Sequence, residues 1–149
     1  MAQFDFEIQT SFFTQLGNLS EVERFAPKMI EEAIPILTEE VKRSLEKHSA
    51  TGVMVKSIKA TKVGCKNGVY YAVVRPTGVS TKYKGKNGKM YLRSKAVRNM
   101  EIVAHIEYGT STQQATPFLS KAYKDAEPAV LKKMSDVFTR EAFGGGAPW

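Results

Sequence analysis

Few side chains in this chain have the type and spacing that chemistry needs. The two histidines, His48 and His105, are far apart in sequence. Neither has a cysteine or carboxylate at metal-ligand spacing, which a zinc-type site requires. His48 suits the C-terminal end of a helix, where a cation is favoured. His105 alternates with Ala104 and Ile106 and is expected to face solvent. Cys65 is the single cysteine, which excludes an internal disulfide and a cysteine-rich zinc site. As a nucleophile it needs a neighbouring base, and its place beside a hairpin turn argues for packing instead. Glu31–Glu32 and Glu39–Glu40 have the look of paired carboxylates. Helix neighbours point about 100° apart, however, so each pair splits across a solvated face. Gly85 and Gly88 lie in a lysine-rich turn with no helix after it, unlike a phosphate-binding loop. The expectation is a chain with no catalytic residue, no cofactor and no metal.

The basic residues are more informative. Lys82, Lys84, Lys86, Lys89, Arg93, Lys95 and Arg98 are interleaved with Tyr83 and Tyr91. Lysines supply phosphate contacts and tyrosines stack on bases, so a small nucleic-acid-binding module is one reading. Lysines also keep an exposed hairpin soluble and guard its strand edges. No recognisable nucleic-acid-binding motif accompanies them, which puts a protein interface or a solvated arm ahead. The net charge is +7, and its distribution is uneven. Residues 1–48 carry 9 acids and 5 bases, residues 49–100 carry 12 bases and no acid, and residues 101–149 carry 6 acids and 5 bases. The middle third alone should attract an acidic surface or a phosphate backbone.

These residues need a scaffold, and 149 residues suffice for one domain with a sizeable core. An apolar content of 42% and a charged content of 25% are ordinary for a globular protein. No apolar run is long enough to span a bilayer. The acidic N-terminus does not read as a signal peptide, so synthesis in the cytoplasm without export is expected.

Along the chain, Phe4, Phe6 and Ile8 alternate with acids as a short strand, and Ser11–Leu16 reads as one helical turn. Ser20 with Glu23 forms a capping box for a helix running to His48, its apolar face set by Val22, Phe25, Met29, Ile30, Ala33, Leu37, Val41 and Leu45. Pro35 is expected to kink it. Thr51 is placed to cap a brief helix ending near Ile58. Asn67–Gly68 and Asn87–Gly88 each mark a hairpin. The second is too polar to be a core pair and reads as an arm projecting over 78–95. Glu101–Tyr108 (EIVAHIEY) reads as a strand.

After that strand, Gly109 permits a tight turn, Ser111–Gln114 form a polar loop, and Thr116 caps a helix that opens at Pro117. Pro128 is expected to kink or restart that helix. The chain is thus expected to be a single α+β domain over residues 1–143. A mostly antiparallel sheet of about four strands is packed by a long N-terminal and a C-terminal helix. Residues 144–149 form a loose tail.

Two motifs carry a resemblance. His48, Thr51–Gly52 and Ser57–Ile58 form the first; Glu107–Tyr108–Gly109–Thr110, then Ala115, Pro117–Phe118–Leu119 and Ala122, form the second. The chain resembles the neck and tail-completion proteins of tailed phages, the minor tail components of lambda-like coliphages. There the motifs read TG-x-L-x-x-SI and EYGT followed by A-R-P-F. The match covers about residues 12–138, with Met54 in place of the leucine and Thr116 in place of the arginine. The hairpin at 78–95 is longer than a minimal member needs. The resemblance implies a non-enzymatic virion part at the head–tail junction, usually a sixfold ring around the DNA channel. Its partners would be copies of itself, adjoining neck, head-connector or tail-tube proteins, and the DNA passing through. Glu107, Tyr108, Gly109, Thr110, Pro117 and Phe118 are the interface candidates that go with it.

Overall fold

The computed structural model describes residues 19–48 and 52–143. The expected strand through Phe4, Phe6 and Ile8, the turn at Ser11–Leu16, the cap at Thr51 and the tail at 144–149 lie outside them. The fold is α+β, and the described residues form two long helices, two short ones and six short strands in antiparallel ladders.

Helix α1 spans Leu19–Glu46, so Ser20 lies inside its first turn rather than ahead of it. Its apolar stripe is buried at Phe25, Met29, Ile30, Ala33, Val41 and Leu45. The C-terminal helix, Phe118–Phe143, buries Phe118, Ala122, Ala126, Val130, Met134 and Val137 at steps of three and four. The two stripes face each other and the helices run antiparallel. Phe25 meets Phe138 edge-on at 6.0 Å at one end, and Ser44 donates to the Phe118 carbonyl at 3.2 Å at the other. α1 continues through Pro27 and Pro35, and the C-terminal helix through Pro128. Pro35 and Pro128 sit on exposed faces, where water is at hand for the carbonyl each leaves without a partner.

Glu39 pairs with Lys42 at 2.8 Å and Glu40 with Arg43 at 3.0 Å, both at i,i+3.

Between the long helices come α2 (Gly52–Ser57) and the strands β1 (Ile58–Ala60), β2 (Gly64–Lys66), β3 (Val69–Tyr71) and β4 (Val74–Pro76). β1 pairs with β4 and β2 with β3, so the four make one interrupted hairpin. Its tip is the expected type I′ turn, with Asn67 at φ 53 and Gly68 at φ 78. Ile58, 2% exposed, joins Val41, Leu45, Met54 and Phe118 in one core cluster, while Ala72 joins the other. β5 (Val79–Lys84) and β6 (Met90–Arg98) form a separate two-stranded ladder. The expected antiparallel pairing holds, and among the described residues it is divided into three two-stranded ladders.

The segment EIVAHIEY is helical, which corrects the strand expected there. Helix α3 spans Asn99–Tyr108 and buries Asn99, Val103 and Glu107, one residue per turn at i, i+4 and i+8. The alternation of Ile102, Ala104 and Ile106 is equally an i,i+4 pair. Glu101 in the first turn and the flanking Met100 and Ala104 favour the helix. The final helix, α4 (Phe118–Phe143), is thus joined to a helix and not to a strand.

Candidate functional site

The joint between α3 and α4 is built around a buried acid. Glu107 is only 3% exposed, near the C-terminus of α3. Its carboxylate accepts from the Leu119 amide at 2.8 Å, the Ser120 amide at 3.2 Å and the Ser120 hydroxyl at 2.7 Å. These amides belong to the first turn of α4, which has no helical partners for them. A full negative charge there also opposes the positive end of the helix dipole. Thr116 was expected to cap this helix. It instead gives its backbone N–H to the Ile106 carbonyl at 2.7 Å, and the helix opens after Pro117. Glu107 displaces it because an ion accepts hydrogen bonds more strongly than a hydroxyl.

The loop between the helices is fixed by Gly109, at φ 75 and ψ −177. That conformation is essentially restricted to glycine. A Cβ there would lie 2.7 Å from the Ala115 nitrogen and 2.7 Å from the Gln113 oxygen. Thr110 and Gln113 exchange backbone hydrogen bonds, and the Thr110 hydroxyl accepts from the Thr112 amide at 3.3 Å. Of the six interface candidates, Glu107 and Phe118 are therefore buried within the fold, and Gly109 and Thr110 shape the loop. Tyr108, at 62% exposure, and Pro117 reach solvent. Tyr108 borders a groove with Pro76, Met100 and Ala104.

The second feature is the β5–β6 hairpin. Residues 81–84 and 86–92 are all exposed. The chain turns through Lys86–Gly88, with only Gly88 at positive φ, 78. Gly85 and Lys89 close the loop through a 2.8 Å backbone bond, so this Asn-Gly sits in a three-residue loop and not a type I′ turn. Lys82 lies opposite Leu92 and Lys84 opposite Met90, which puts two lysines and two aliphatic side chains on one face. Tyr83 and Tyr91 pair on the other, stacked at 5.6 Å, with the Arg93 guanidinium over Tyr83 at 5.4 Å. Tyr91 also covers Gly85, where a Cβ would come within 2.6 Å of the ring. Lys86 and Lys89 flank the tip; Lys95 and Arg98 lie toward the base. Among the described residues, none of these seven cations forms an ion pair.

The base is stapled by Asn99. Its amide donates to the Gly78 carbonyl at 3.0 Å and its side chain to the Thr77 carbonyl at 2.7 Å. Sequence reading missed both Asn99 and the role of Glu107, because their partners lie about twenty and twelve residues away.

The chemical candidates separate. His48 lies in the turn after α1 with its ring 6.1 Å from Phe118, and His105 is on the exposed side of α3. Cys65 is exposed on β2 instead of packed, because its strand has only one partner. Glu32 bonds Arg140, with Lys133 at 3.3 Å, and Glu31 faces solvent. Among the described residues, no three ligand-type side chains converge on a metal position, and no helix is long and apolar enough to cross a membrane. No family model, curated protein or solved structure matches the chain.

Proposed function

We propose that this protein is a structural, non-catalytic component of a tailed-phage virion that acts at the head–tail junction, as a neck, tail-completion or tail-terminator subunit in a ring. The observation that carries this reading is the hairpin arm: seven cations and no acid on a ribbon that projects from the body, with Leu92 75% exposed and Met90 49% exposed. Such a surface suits a subunit that is completed by a neighbour. The motif from Glu107 to Phe118 supports the reading in a second way. Its residues hold two helices together, a task of architecture and not of turnover.

The test is an arm replacement. Ser80 and Val97 are register partners, so a two-residue Asn-Gly turn in place of Thr81–Ala96 closes the ladder at its base. The shortened chain should keep the cooperative unfolding of the body and fail to join heads to tails in the parent particle. Normal infectious particles from this variant would refute the reading. A second reading, a free-standing nucleic-acid-binding module, is favoured by the seven arm cations, none of which forms an ion pair among the described residues. Sedimentation as a ring-sized species, or co-purification with tail proteins, separates the first from the second.

A further inference from the structure

We propose that the β5–β6 arm enters the major groove of duplex DNA as a two-stranded ribbon and binds its phosphates without reading sequence. The inference deepens the reading of the arm as a docking element, and rests on it, by naming what the arm meets.

Charge placement carries it. A flat acidic protein surface engages one face of a hairpin and leaves the cations of the other face in water. Here the positive charge surrounds the ribbon. Lys82 and Lys84 lie on one face, Arg93 on the other, and Lys86 and Lys89 at the tip, with no acid between residues 78 and 98. A groove walled by two phosphate strands is the anionic partner that meets both faces and the tip together.

The dimensions agree. Paired strands lie about 5 Å apart, and the major groove, about 12 Å wide, admits a two-stranded β-ribbon. The ribbon is also ordered before it binds. Tyr83 and Tyr91 stack on each other, Tyr91 hydroxyl and Asn87 side-chain amide are 2.6 Å apart, and Arg93 lies over Tyr83. These contacts occupy ring faces that unpaired bases would need, which favours a duplex over a single strand.

The test uses the full chain and a fluorescently labelled duplex of about 25 base pairs, long enough to span two turns of major groove. Five phosphate neighbours give a slope of log K against log salt of about −4 to −5. Affinity should therefore fall about 500-fold between about 50 and 200 mM salt. Replacing Lys82, Lys84, Lys86 and Lys89 together by Gln should flatten the slope to about −1 and weaken binding at least 100-fold at about 100 mM salt. These four side chains are exposed, so the variant should melt like the parent by circular dichroism.

A slope flatter than about −2 for the parent, or an unchanged slope in the fourfold variant, overturns the proposal. So does equal or tighter binding to duplex RNA, whose major groove is too narrow for the ribbon. Binding of polyglutamate with no affinity for DNA overturns it in favour of an acidic protein. A chain without DNA affinity that the particle still requires removes this inference and leaves the assembly reading standing. Steep DNA affinity in a chain found in no particle supports the inference and removes the assembly reading.

Discussion

Removing the Glu107 carboxylate strips three hydrogen bonds from the first turn of α4 and leaves part-buried amides without acceptors. Glu107→Ala should destabilise the fold by about 2–4 kcal/mol, read by urea denaturation, because an orphaned buried donor costs about 1–3 kcal/mol. Glu107→Gln keeps an acceptor and should cost less than half as much. Gly109→Ala meets a different obstacle. Its Cβ would collide with backbone at 2.7 Å in a conformation that side chains avoid, so a loss of about 2–3 kcal/mol is expected. Wild-type stability in either alanine variant would mean that the joint does not hold the helices. Gly109 was legible from sequence because a glycine before a polar loop announces its own geometry. Glu107 was legible only as part of a motif, since nothing local shows an acid reaching twelve residues forward to cap another helix.

The long helices answer for themselves at the level of elements. The apolar spacing of α1 was clear in the sequence, and Phe25, Met29, Ile30, Ala33, Val41 and Leu45 are buried, because a repeat of three and four over many turns has one meaning. Short segments lack that redundancy. Eight residues of EIVAHIEY fit either period, and packing of Val103 and Glu107 against α4 decided for a helix. Pro35 and Pro128 interrupt neither helix, because each ring faces water and the carbonyl it leaves free is solvated.

The C-terminal end of α4 is tied to α1 by Arg140, which bonds Glu32 and Glu141, and by Lys28 with Glu141 at 2.8 Å. The hydrogen bond from Arg140 holds the Glu32 carboxyl well below its ordinary range, at about 2. A depressed acid stabilises the fold above its unfolded pKa and loses that contribution as pH falls toward its folded one. The contribution of Glu32 is therefore present above about pH 4.5 and lost between there and about pH 2. Glu32→Gln should show a shallower decline in melting temperature across that window; an unchanged profile would show that the cluster is merely solvated.

For the molecule as a whole, the division of charge proved the most useful property of the sequence. Seven of the twelve bases of the acid-free middle third gather at the arm, and α1 and α4, from the mixed first and last thirds, pair with each other. What the sequence could not show is how that arm is mounted. β6 ends at Arg98 and α3 begins at Asn99, with no loop between them. Tension applied at the hairpin tip thus runs along one strand into one helix. It is anchored first by Asn99 and finally by Glu107 on the first turn of α4. A load placed on the arm would therefore pass through that root into α4 and the helix packed along it, α1.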